Sequence, residues 1–175
     1  MTSRPVLVAR HCATLAAALV VPVSLAPAAH ADNRRLNESV VADVHAMMMK
    51  AGCADTYTVE PMVRVNPKLQ LAAQWHTQDV LNNHALDGDI GSNGAGVADR
   101  ARAAGYNGTV AETVAINPAL AISGIEIINQ WFYRPDYHAI MSDCANVDIG
   151  VWSENSLDRS VVVAVYGKGD ATPGI

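Results

Sequence analysis

The residues able to move a proton or hold a metal are few. Outside the first 31 positions the chain has four histidines, His45, His76, His84 and His138. One acid, Glu112, stands inside the apolar run Ala111-Glu112-Thr113-Val114-Ala115. Imidazole and carboxylate together make ordinary metal ligands and acid–base pairs. His84 and His138 fall in or beside loops far from Glu112 in sequence, so only a fold brings the three together. His76 lies on the apolar side of a helical stretch, where burial disfavours the charged imidazole, and a neutral ring bonded to a carbonyl or carboxylate is expected. His45 lies off the apolar stripe of its helix and is expected to be solvated.

The usual motifs are absent. There is no G-x-S-x-G elbow, Walker loop, dinucleotide fingerprint, H-E-x-x-H or C-x-x-C. Asp87-Gly88-Asp89 with Asn93-Gly94 has a calcium-loop flavour, but the twelfth position counted from Asp89 is Arg100, where a bidentate carboxylate is required. The methionines at 47–49 read as gap-filling core residues.

The elements that must position these groups begin after an address. Arg4 and Arg10 precede an uncharged Ala/Val/Leu run that ends in Ala29-His30-Ala31, the pattern of a secretory signal cut before Asp32. Domain organisation is therefore read as a signal peptide at 1–31 and a single domain at 32–175. Removing 31 of 175 residues leaves 144, within the ordinary size of one domain. Losing two arginines and no acid takes the net charge from −5 to −7. That balance argues against nucleic acid as a partner, which needs a basic footprint. No second apolar run is long enough to span a membrane, so the mature chain is expected to be secreted, extracellular or in the cell envelope. Export also places Cys53 and Cys144, the two cysteines left, in an oxidising compartment where they are expected to pair.

Periodicity then predicts helices followed by a hairpin. A helix is expected over 36–51, with Val40, Val41, Val44, Met47 and Met48 on one stripe and Gly52 to stop it. The stretch 53–66 is expected to be a loop. Asn66-Pro67 opens a second helix whose inner face is Leu69, Ala72, Ala73, His76 and Val80. A glycine-rich loop at 84–99 and a short helix at 99–104 follow. The stretch 109–116 is expected to be extended. A third long helix starts at Asn117-Pro118, with Leu120, Ile122, Ile125, Ile128 and Trp131 inward. Pro135 breaks it before further helical turns at 136–142. The Val-rich segments 147–152 and 160–166 alternate as an antiparallel hairpin. The class is α+β.

These segments together resemble the bacterial type of the CAP superfamily. Its SCP-like extracellular proteins include the cysteine-rich secretory, antigen 5 and pathogenesis-related proteins. The resemblance is carried by Ala72-Ala73-Gln74-Trp75-His76-Thr77-Gln78-Asp79, Asn93-Gly94 with Asp99-Arg100, and Gly105-Tyr106. It continues through Ala111-Glu112-Thr113-Val114-Ala115, Trp131-Phe132-Tyr133-Arg134-Pro135-Asp136-Tyr137 and Ile149-Gly150-Val151-Trp152. It implies a CAP-like α-β-α sandwich, a small antiparallel sheet between helices. It also implies a shallow cavity lined in the family by two histidines and acids, which in some members binds a divalent metal. Here Glu112 matches the family acid, while Asp89 and Tyr137 stand where the histidines would be and His138 is one position late. Such a set is not the usual zinc site, because Asp is a hard oxygen donor and Tyr ligates weakly near neutral pH; no cofactor or metal is expected. Tyr137 donating to Glu112, or Glu112 tying the loop to the sheet through backbone N–H groups, is expected instead.

Two functions follow. The first is a secreted, non-enzymatic binding or structural module whose partner is a small ligand, an envelope component or a protein. The alternative is a secreted hydrolase, a protease or cell-wall enzyme, using Glu112 with His138 or His84 and assisted in some cases by a metal.

Overall fold

The apolar stripes and the valine-rich strands assemble into one sheet with helices on both faces. The computed structural model describes residues 27–53, 62–118 and 121–170, with side chains from Asn33 onward. The expected secretory segment up to residue 26 lies outside the described residues, as does Leu120. Among the described residues there are five helices and four strands. In chain order they are α1 (Pro27–Lys50), β1 (Arg64–Val65), α2 (Pro67–Asn82), α3 (Val97–Ala103), β2 (Val110–Asn117), α4 (Gly124–Phe132), α5 (Pro135–Met141), β3 (Asp148–Asn155) and β4 (Ser160–Gly167). The class is α+β, and the sheet order is β1-β3-β4-β2. β2, β4 and β3 pair antiparallel, while β1 lies parallel to β3.

One layer packs Val40, Val44 and Met48 of α1 and Trp131 of α4 against Ala115, Ile149, Val162 and Tyr166. The other packs Leu69, Ala73 and Val80 of α2 and Ala101 of α3 against Val114, Val161, Val163 and Val165. Alternate residues of a strand face opposite sides, so the central strand β4 has neighbouring valines in different layers, and all eight of its residues are buried. Asn66 caps α2 by accepting from the Lys68 N–H, with Pro67 at the first helical position. α2 lies so close to the sheet that a Cβ on Gly150 would stand 2.1 Å from the Gln70 nitrogen. Cys53 and Cys144 form a disulfide that ties the end of α1 to the loop before β3. Its 91-residue separation corresponds to roughly 4–5 kcal/mol in the chain-entropy picture.

Three expectations are corrected. α1 starts at Pro27, before 36, because the alanine-rich stretch ahead of it is itself a good helix former. The loop expected over 53–66 contains β1, whose N–H groups at Arg64 and Asn66 reach the carbonyls of Val147 and Ile149. The helix expected from Asn117-Pro118 begins at Gly124 instead. Asn117 forms the last rung of β2 against Ser160, and the box Ser123-x-x-Glu126 supplies the cap. That start sets the helix phase: Ile127 is buried and Ile125 is 76% exposed.

Candidate functional site

Glu112 sits in β2, an outer strand, on the side covered by α2 and α3. It is 2% exposed. Its Oε1 accepts a 2.6 Å hydrogen bond from Arg100 Nη2, and the Arg100 side chain is itself buried. The same guanidinium donates to the carbonyls of Ala95 (2.7 Å) and Asp89 (2.8 Å). One cation from α3 thus fastens β2 to the glycine-rich loop that follows α2. His76, inward on α2, lies 3.7 Å from Glu112 Oε1, but its Nε2 is bonded to the Gly88 carbonyl at 2.9 Å. Since a carbonyl only accepts, that nitrogen carries the proton. At the rim the Tyr137 hydroxyl donates to Asp89 Oδ1 at 3.2 Å, and the Arg134 guanidinium lies over the Tyr137 ring, 3.6 Å from its centroid.

Burial governs the electrostatics. It pushes the Glu112 carboxyl up to about 8; Arg100 pulls against that rise and the charge of Asp89 adds to it. Burial holds His76 below the usual imidazole range, and the nearby Arg100 charge lowers it further. Burial and the Asp89 charge raise Tyr137 to about 12. At neutral pH His76 and Tyr137 are therefore uncharged. Glu112 Oε2, His76 Nδ1 and Arg100 Nε are buried without a hydrogen-bond partner among the described residues.

The fold brings together Glu112, Asp89 and Tyr137, linked through Arg100. It does not bring in His138 or His84. His138, one position along α5 from Tyr137, points elsewhere and packs edge-on against Phe132 with ring centroids 5.1 Å apart. His84 stands beside Ile116, Asp158 and Arg159. Two further expectations need correction. Tyr137 donates to Asp89, not to Glu112, whose Oε1 is bonded by Arg100. Glu112 is held by a side chain, not by backbone N–H groups. Arg100 is the residue that sequence reasoning missed as a member of the site. Its place in the motif after the glycine loop was the available signal.

A divalent metal, which the family resemblance allows, does not fit these residues. A guanidinium already sits on the carboxylate a cation would need, and no group of three or more His, Cys, Asp or Glu is placed to hold a metal ion among the described residues.

No family model matches the sequence, and no curated protein matches it. Solved structures do match the fold. An outer surface protein from Borrelia burgdorferi aligns with a TM-score of 0.63 at 12% identity, over 78% of this chain and 94% of that one. An extracellular protein containing a SCP domain from Bacillus anthracis gives 0.65 at 9% identity, over 86% of this chain. A cysteine-rich secretory protein from Staphylococcus aureus gives 0.53 at 13% identity, over 85%. This chain spans 45% and 40% of the length of the last two, so it is similar to one part of each. The sandwich of helices around a four-stranded sheet is thus the fold that this chain shares with these structures, the SCP-domain protein among them.

Proposed function

We propose that this chain is a secreted CAP-type module that acts by binding or by shape and carries out no chemistry of its own. The supporting observation is that the candidate site uses its charged groups internally. Arg100 is bonded to Glu112 and two carbonyls, and Tyr137 is bonded to Asp89. A hydrolase needs a base with a hydrogen bond free to reach a nucleophile, a water or a substrate. His76, the imidazole beside Glu112, has no exposed surface and already donates to Gly88. His138 and His84 stand apart from the acid. The names of the structural neighbours, an outer surface protein, an extracellular protein and a secretory protein, support an extracellular setting, as does the signal pattern before Asp32. No helix among the described residues is long and apolar enough to cross a membrane.

The test is turnover by the mature protein on a mixed peptide library, peptidoglycan and short-chain esters, run beside Glu112→Gln. No turnover above background in either protein is expected. Turnover that depends on Glu112 would overturn the proposal and restore the hydrolase.

A further inference from the structure

A cavity of about 440 Å³ opens beside α2 and the glycine-rich loop, with Arg100 of the buried cluster at its wall. Trp75, 39% exposed, lines it together with Ala95 and Ala103. Asp79, Ser92, Asn93 and Asp99 bring polar atoms to it. An indole 39% exposed at the wall of a cavity that also carries convergent polar groups presents a flat apolar face to whatever enters it.

The polar groups are held in place before any ligand arrives. Asp79 Oδ2 accepts the Ser92 N–H at 2.7 Å, and Asn93 Oδ1 accepts the Ala95 N–H at 2.9 Å. The loop closes on itself through Gly91 N–H to the Ala95 carbonyl (3.0 Å) and Gly94 N–H to the Gly91 carbonyl (2.9 Å). Gly91 leaves room for these side chains: a Cβ there would stand 2.9 Å from Asp79 Oδ2 and 3.2 Å from Asn93 Oδ1 and would displace them. Gly94, at φ +79°, supplies the left-handed turn. Fixing the Asn93 oxygen also fixes its amide nitrogen, a donor. The rim therefore offers donors, the Asn93 amide and the Ser92 hydroxyl, beside the carboxylates Asp79 and Asp99; Asp99 already accepts from the Gly96 N–H and from Arg102 and has only its remaining lone pairs to offer.

That combination selects a ligand chemistry. A cation would want acceptors alone, and Arg100 at the same wall opposes it. An anion would meet two carboxylates. A hydroxyl both donates and accepts, and a pyranose ring adds a flat C–H face suited to an indole. We propose that this cavity binds a neutral sugar ring of a glycan, stacked on Trp75 and hydrogen-bonded to Asp79, Ser92, Asn93 and Asp99. This deepens the binding-module reading, on which it rests, by naming the class of envelope component.

The experiment titrates the mature protein calorimetrically with three neutral probes, maltotriose, cellotriose and mannotriose, and with tetramethylammonium as the cationic competitor. Saturable binding of at least one sugar is expected. Trp75→Ala should weaken it about tenfold or more, Trp75→Phe less, and Asn93→Ala measurably. Trp75 is partly exposed, so its variants should keep the parent's circular dichroism; should the alanine variant fail to fold, the Phe and Asn93 variants carry the test. No sugar binding up to about 10 mM, a binding free energy weaker than about −3 kcal/mol, overturns the proposal. So does binding unmoved by these substitutions, or tetramethylammonium bound at Trp75 in place of sugar. A bound sugar cleaved in a Glu112-dependent manner would instead sink the non-enzymatic reading and leave the sugar assignment standing.

Discussion

Replacing Arg100 by methionine isolates the contact on which the buried cluster depends. Methionine keeps much of the aliphatic packing of the arginine stem and removes only the guanidinium. Three bonds are lost together, at 2.6, 2.7 and 2.8 Å, from a residue 8% exposed. At about pH 9, where Glu112 is charged, removing its buried partner costs about 3–5 kcal/mol, because the remaining charge is left without compensation. Set against a total stability of about 5–15 kcal/mol for a domain, that is a large fraction. With a urea m-value of about 2 kcal/mol/M, the midpoint should fall by about 1.5–2.5 M. The loss should grow with pH, since without the guanidinium a charged Glu112 is still less tolerable. Urea denaturation followed by circular dichroism at two pH values measures both effects. A midpoint shift under about 0.5 M with unchanged m would refute the structural role assigned to Arg100.

Two other outcomes follow from the same geometry. Glu112 titrates higher in the folded chain, about 8, than its ordinary 4.5, so its contribution to stability is fully present below about pH 4.5 and is lost as pH rises through 8. Between those limits the wild-type chain should lose stability relative to Glu112→Gln by up to about 1.4 kcal/mol per pH unit, and parallel pH profiles for the two proteins would contradict the shift. Gly150→Ala drives a methyl into the backbone of Leu69 and Gln70, at 2.2 and 2.1 Å, and should cost about 3 kcal/mol or more by thermal denaturation; an unchanged Tm would show that α2 can lift off β3 cheaply.

Much of the fold is legible in the sequence because periodicity and burial agree. Val40, Val44 and Met48, and likewise Leu69, Ala73 and Val80, read as inward faces and are buried. β1 escapes such a reading because a two-residue strand has no period to detect; its existence depends on β3, more than 80 residues later in the chain. The start of α4 is misplaced because Asn117-Pro118 is a good helix opening locally, while pairing with Ser160 claims Asn117 for the sheet. The Ser123-Glu126 capping box is present in the sequence and outranks it. At the site, Glu112, Asp89 and Tyr137 are placed by resemblance; Arg100 bonds Glu112 and the Asp89 carbonyl, and Tyr137 donates to the Asp89 side chain. Arg100 carries no such expectation, since an arginine on a seven-residue helix is normally solvated and only the tertiary arrangement turns it inward. His138 is a candidate by proximity in sequence, but one residue along a helix is a turn of about 100°, enough to direct it to Phe132.

The claim that the buried acid and its cation hold the fold together, and are not poised for chemistry, is tested most directly by a double-mutant cycle at about pH 9, where Glu112 is charged. Wild type, Arg100→Met, Glu112→Gln and the double variant are unfolded in urea, and the coupling energy is read from the four stabilities. A favourable coupling of about 2 kcal/mol is predicted, with Arg100→Met costing far less once Glu112 is gone. Additivity of the two substitutions to within about 0.5 kcal/mol would contradict it.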